Sequence, residues 1–537
     1  MTSLEQILDQ LYFSATNERD KGEKFERLML QFFKTDRFWS EQFAGVWMWS
    51  DWPERHGRRD NGIDLVGTDR QSGDAVAIQC KFYDPTRQLV KADIDSFLGE
   101  SGKAPFAQRL LVSTTDHWGP NAEAAIEGQQ IPVQRLRFMD LAESSIDWAQ
   151  FDLSTPEVME LKDRKKIRPH QSLALEKVRE GFTTHDRGKL IMACGTGKTF
   201  TSLKITEGLV APGATVLFLV PSISLLSQSL GEWSNECEFA LRPFAVCSDT
   251  KVGKRTKAQE SEDISVVDLA LPPTTNAARL FTQLSDTAAG ADKVTVVFST
   301  YQSIAVVAQA QAMGLGDFDL VICDEAHRTT GETLAGVEES AFVRVHDNTF
   351  LRATKRLYMT ATPRIYDDAS KTKAGQAQAV LASMDDEGTY GPEFHRLGFG
   401  EAVSANLLTD YKVLVLAVDE KSVSRTFQAQ LADASSELKL DDVAKIVGCW
   451  NGLAKRGHLE SGFTADPAPM TRAVAFARSI KDSQKFAALF TSIVKDYITS
   501  TGIGGQDDPT TDDTPLLCDA LHVDGNFNVL ARNERLD

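Results

Sequence analysis

Apolar side chains recur at i, i+3, i+4, i+7 and i+8 through Phe25, Leu28, Met29, Phe32 and Phe33, the stripe of a helix that buries one face. The period then changes. Residues 63–66 (IDLV) and 75–82 (AVAIQCKF) are short strand-like runs, and the polar stretch between them carries Ser72, Gly73 and Asp74, which predicts a hairpin. In the second run Val76, Ile78, Cys80 and Phe82 share one face, while Ala77, Gln79 and Lys81 share the other. A further strand at 109–113 completes a small α/β unit that ends near residue 155, where STPEVMELKDRKK reads as a polar, charged linker.

A second block alternates helical patterns with near-continuous apolar runs at 190–193, 215–220, 294–298, 320–323 and 357–359. Strands of a parallel sheet covered on both faces have this character, so the block predicts a doubly wound α/β domain. After residue 365 the chain turns Ala- and Asp-rich and leads to predicted strands at 413–418 and 473–476. Residues 502–514 (GIGGQDDPTTDDT) have a loop-like or disordered composition, and no internal repeat is present.

Composition narrows the classes. A length of 537 residues accommodates about three to four domains. Mean hydropathy is −0.24 and no apolar run approaches the ~20 residues a bilayer needs, which argues against a membrane protein. The start, MTSLEQILDQ, has no basic stretch followed by an apolar segment, so a cytoplasmic location is expected. Seven cysteines without a C-x-x-C pair fit neither a disulfide scaffold nor a zinc ribbon, and are expected as reduced thiols. The net charge of −18 is the wrong sign for coating nucleic acid by bulk attraction. Two basic clusters, Lys162, Arg164, Lys165, Lys166 and Arg168, then Lys251, Lys254, Arg255 and Lys257, read as a solvated linker and a loop.

Two segments of the second block carry phosphate chemistry. Gly195, Thr196, Gly197, Lys198 and Thr199 follow a strand and open a helix, as a phosphate loop requires. Glycines turn backbone N–H groups toward phosphates, Lys198 would reach the β/γ-phosphates and Thr199 would ligate magnesium. Met192 stands where the usual pattern begins with glycine. Asp324, Glu325, Ala326 and His327 follow the apolar run 320–323, so that Asp324 can hold magnesium and Glu325 can orient the attacking water.

This ordered set resembles a superfamily 2 helicase or translocase motor. Pro221 and Ser222 lie in a segment similar to its motif Ia, and Ser299, Thr300 and Gln302 in one similar to motif Ib; the resemblance implies DNA-backbone contacts for these five. Thr360 and Thr362 resemble motif III, which implies coupling of nucleotide state to domain movement. Gln171 resembles the adenine-reading glutamine, His327 completes an ATP-site box, and residues 473–480 resemble motif IV. The implied layout is a first RecA-like domain over 168–400 and the start of a second over 401–537, which stops before motifs V and VI and so lacks their arginine finger.

In the front block, Asp64, Gln79 and Lys81 supply an acidic group, a second oxygen ligand and a lysine, the set that metal-dependent phosphodiester cleavage needs. Their D-x(14)-Q-x-K spacing resembles the Mrr branch of restriction-endonuclease-like nucleases, which also implies a role for Glu26 after Phe25. Trp47, Trp49 and Trp52 read as core rather than as a DNA-stacking platform. An Mrr-like nuclease over 1–155, a basic linker over 156–167 and a superfamily 2 motor together resemble the type ISP restriction–modification enzymes. That resemblance implies ATP, Mg2+ and double-stranded DNA, with S-adenosylmethionine only in downstream methyltransferase and target-recognition domains. Alternatives are a repair or remodelling helicase whose front block only binds DNA, and a sensor of modified DNA.

Overall fold

The computed structural model describes residues 3–58, 62–248, 265–286, 290–333, 340–367, 380–410, 440–455, 469–501 and 516–523. It divides into two units, 1–409 and 410–537, and the first holds both predicted α/β bodies.

The front body opens with α1 (Ser3–Ser14), α2 (Glu18–Thr35) and α3 (Arg37–Gln42). Asn17 caps α2 by accepting from the Asp20 N–H, and Asp36 caps α3 through the Phe38 and Trp39 N–H groups. The predicted stripe Phe25, Leu28, Met29, Phe32 and Phe33 is the buried face of α2. There follow β1 (Phe43–Met48), β2 (Leu65–Asp69), β3 (Ala75–Lys81), α4 (Asp95–Glu100), β4 (Phe106–Ser113), α5 (Pro120–Ile126), β5 (Val133–Leu136) and α6 (Phe138–Ala142). The five strands form one sheet in sequence order, with β1, β2 and β3 antiparallel and β3, β4 and β5 parallel. Trp49 and Trp52 are buried against Phe106, so the core reading of these two rings holds.

The second body begins with α7 (Pro169–Gly181), β6 (Arg187–Met192), α8 (Lys198–Leu209), β7 (Thr215–Val220) and α9 (Ile223–Glu236). It continues through β8 (Leu241–Val246), α10 (Ala277–Leu284), β9 (Val294–Thr300), α11 (Ile304–Ala312) and β10 (Leu320–Cys323). Last come β11 (Gly331–Thr333), β12 (Arg356–Thr360), β13 (Val380–Ala382) and β14 (Glu393–Leu397). Seven strands form a parallel sheet in the order β14-β6-β12-β10-β7-β9-β8, and β11 pairs with β13 in a small antiparallel ribbon. The chain is therefore α/β as expected, a mixed-sheet body followed by a parallel RecA-like sheet.

In the second unit, helices Leu440–Leu453 and Ile480–Thr501 pack Val443, Ile446, Val447 and Trp450 against Phe490, Ile493 and Val494. Residues 473–476 correct the expectation of a strand. They have no ladder partner among the described residues, and Val474 and Phe476 are 68% and 97% exposed, so nothing there satisfies their backbone as a strand. The predicted strand 413–418, the segment 502–514 and the basic cluster Lys251 to Lys257 lie outside the described residues. No described helix is long and apolar enough to cross a membrane.

Candidate functional site

The hairpin register sets the front site. Leu65 pairs with Ile78 and Val66 with Ala77, so Asp64 stands directly across from Gln79, on the same sheet face. The Asp64 N–H donates to the Ile78 carbonyl at 3.0 Å, and its Oδ2 accepts the Cys80 N–H at 2.7 Å, which fixes the carboxylate against β3. Gln79 is 2% exposed. Its Nε2 donates to the Gly62 carbonyl at 2.8 Å, while its Oε1 is buried with no hydrogen-bond partner among the described residues. Turning the amide over would set two carbonyl oxygens against each other, so the free oxygen is a property of the site. Gly62 has φ +96, and a Cβ there would lie 2.9 Å from Ser96 Oγ, which reserves the position for glycine.

Lys81 shares the Gln79 face. Burial lowers its ammonium pKa, opposed by Asp64 and then Asp93. Phe25 on α2 stacks on Phe82 at 5.0 Å, so α2 covers the other face of β3 and Glu26 approaches from that side, next to Cys80. Burial, then Asp64 and Glu26, push the Cys80 thiol far up, a sign of negative potential at the end of β3. The free Gln79 oxygen and the Asp64 carboxylate are hard oxygen donors of the kind Mg2+ takes, so the residues fit that ion.

The ATP-type site lies at the C-terminal ends of β6, β10 and β12. Gly195 and Gly197 have φ +81 and +82, and a Cβ on Gly197 would meet Gln171 Nε2 at 2.7 Å. Gln171 is buried: its Oε1 accepts the Arg168 N–H at 2.9 Å and its Nε2 donates to the Thr196 carbonyl at 3.4 Å. The glutamine expected to read adenine thus braces the phosphate loop from beneath, and His170 Nε2 meets the same carbonyl at 3.0 Å. Thr199 begins α8 beside Lys198, whose Nζ lies 3.9 Å from Glu325 Oε1. Asp324 is 4% exposed, and burial, then Glu325, push its carboxyl up to about 6. His327 Nδ1 lies 3.3 Å from Glu325 Oε2 and 3.1 Å from Thr360 Oγ1, which also accepts the Thr362 N–H at 3.2 Å. One chain of contacts thereby joins Lys198, Glu325, His327, Thr360 and Thr362.

The five residues expected on the DNA track divide. Ser222 caps α9 and Gln302 is exposed with its Nε2 on the Pro221 carbonyl at 3.1 Å, so these three cluster at the ends of β7 and β9. Ser299 is a correction: it is wholly buried inside β9, beside Leu219 on β7, and its hydroxyl donates to the Thr300 carbonyl. Thr300 is 5% exposed and its hydroxyl meets Ser303. Sequence reasoning gave no role to Tyr301, whose buried hydroxyl donates to the Asp324 carbonyl at 2.8 Å; its place in the same short run was the available signal.

Residues 34–158 match the family described as a restriction endonuclease, and residues 164–365 the family described as type III restriction enzyme, res subunit. Among solved structures the chain is similar to the ATP-dependent type ISP restriction–modification enzyme LlaBIII bound to DNA, at 40% identity and a TM-score of 0.75, over 91% of this chain and 31% of that one. It is also similar to a nuclease-deletion mutant of the type ISP restriction–modification enzyme LlaGI in complex with a DNA substrate mimic. There the identity is 36% and the TM-score 0.44, over 65% of this chain and 24% of the other. No curated protein matches the chain. The chain spans 31% of the length of LlaBIII.

Proposed function

The chain belongs, over the stretch it covers, to the type ISP restriction–modification enzymes, a restriction endonuclease domain ahead of a superfamily 2 motor domain, and from that premise we propose that it couples ATP-driven movement on double-stranded DNA to Mg2+-dependent cleavage. The observation that carries the cleavage half is the buried Oε1 of Gln79, unbonded among the described residues, on the residue that stands opposite Asp64 across the hairpin.

In this reading Asp64 and Gln79 hold Mg2+, with Glu26 an additional acidic group from the α2 side. The ion when bound supplies an acidified water and neutralises charge on the leaving oxygen. Lys81, its pKa lowered by burial, orients that water or balances the charge of the phosphodiester. In the motor, the N–H groups around Gly195, Thr196 and Gly197 cradle phosphate, Lys198 reaches the β/γ-phosphates, and Thr199 and Asp324 are the magnesium-holding pair. Glu325 orients water, and must exchange its Lys198 contact for that task when ATP binds. His327 passes the state of Glu325 to Thr360 and Thr362, while Ser222 and Gln302 face the DNA backbone and the buried Pro221 holds Gln302 in place through its carbonyl.

The test is plasmid cleavage and DNA-stimulated ATPase by the full-length protein. Asp64→Ala should lower cleavage by about a thousandfold or more while ATPase stays within about twofold, because a metal ligand is lost and the motor untouched. Lys198→Ala should remove ATPase and with it ATP-driven cutting. Cutting that survives Asp64→Ala refutes the site; DNA-stimulated ATPase in a wild-type protein that never cuts favours the helicase with a binding front block.

A further inference from the structure

The motor's chain enters the nuclease core. Between β8 and α10 the turn Val266–Asp268 is closed by a reciprocal cap, in which Ser265 Oγ accepts from the Val267 N–H and Asp268 Oδ2 accepts the Ser265 N–H. Val267 is buried in an apolar cluster with Trp52, Leu89, Phe97, Phe106 and Val133, all from the nuclease. Beside it Asp268 Oδ1 accepts from Arg135 Nε at 2.6 Å, and the Asp268 side chain is 1% exposed. Arg135 Nη1 also bonds Glu123 at 2.6 Å, its guanidinium lies 4.8 Å above the Trp118 ring, and Arg137 approaches Asp268 to 3.9 Å. Burial acts to raise the Asp268 carboxyl, but Arg135 and Arg137 outweigh it and hold the carboxyl below its ordinary range.

The seam is aligned with the cleavage site. In the nuclease sheet Arg135 pairs with Leu111, and Leu111 with Gln79. The three lie in one row across parallel strands and on one face, so the Arg135 backbone is two strands, about 10 Å, from that of the residue expected to hold the metal. A second, partly buried contact lies at α3 and α9, where Arg37 donates to the Asn235 carbonyl at 3.2 Å. Losing one member of a buried pair leaves a stranded charge, so the contact favours full docking over half-measures.

We propose that the Val266–Asp268 turn pins the nuclease to the first motor lobe, making Val267 and Asp268 positioning residues for cleavage although neither touches the reacting atoms. The proposal rests on the nuclease reading above. The test sets Asp268→Asn and Val267→Ala beside wild type and Asp64→Ala in the full-length protein. DNA-stimulated ATPase should stay within about twofold while cleavage falls about tenfold or more, since the motor is intact and the site misplaced.

A second readout needs no cleavage. Six of the eight tryptophans of the 537-residue chain, Trp39, Trp47, Trp49, Trp52, Trp118 and Trp148, lie in the nuclease, so their fluorescence reports its melting. A magnesium complex of a non-hydrolysable ATP analogue should raise that melting midpoint in wild type, and the rise should vanish in both pin variants. Variants that cut like wild type and whose melt still follows the nucleotide overturn the proposal. So does loss of ATPase together with cleavage in both, which would assign the turn to the motor's own fold. Failure of the nuclease reading is distinguishable: wild type and Asp64→Ala would then behave alike, while the fluorescence still reports the pin.

Discussion

The Gln79 amide is held by one end only, and the unbonded oxygen carries a desolvation cost of about 1–3 kcal/mol in the metal-free protein. Gln79→Leu keeps a similar shape, deletes that oxygen and gives up the hydrogen bond to Gly62. We therefore expect unfolding free energy in urea to change by no more than about 2 kcal/mol, the two terms opposing each other. Cleavage should fall about a hundredfold or more, as befits a lost ligand. A variant that cuts normally would show the oxygen is idle. The shared face of Asp64, Gln79 and Lys81 was legible because strand alternation has a period of two and fixes faces without knowledge of partners. Ser299 was misjudged for the complementary reason. Whether a polar residue at a strand end or helix start faces outward depends on neighbouring strands and loops, which period alone does not reveal.

At the level of elements, the runs found in sequence are β6, β7, β9, β10 and β12, the five interior strands of the seven-stranded sheet. The two that escaped, β8 and β14, are its edges. An edge strand can hold Pro243, whose missing N–H matters less there, or the polar sequence EFHRL of β14, because only one side is paired. The helical turn after Asp324 is tied to this sheet by His346, which contacts the Tyr358 hydroxyl and the Thr329 carbonyl at 2.9 and 3.1 Å. Burial lowers the His346 pKa from 6.5 to about 4, with Arg356 and Arg187 adding to the shift. The unfolded chain therefore binds the proton first, so this contribution to stability is fully present above pH 6.5 and is lost as pH falls toward 4. The loss should approach about 3 kcal/mol, and His346→Gln should flatten the curve of unfolding free energy against pH. An unchanged slope in that variant would exclude His346 as its source.

For the whole molecule, the sequence marked two α/β bodies, and the two sheets of the first unit are those bodies. What it could not convey is that the bodies touch elsewhere. Residues 135 and 268 are far apart in sequence, and nothing in a local pattern announces that a motor loop completes a nuclease core. That contact changes the role of the covalent connection, because the buried Arg135–Asp268 pair and the partly buried Arg37 contact, not the length of chain between them, set the separation of the bodies. The molecule is in this respect a ruler rather than a tether. Gly and Ser residues added after the exposed Asp163 should leave the spacing between a stalled motor and its cut ends unchanged, which sequencing of the ends would reveal. In a tethered design the cuts would spread with every residue added; in a ruler, the interval is a dimension of the folded protein.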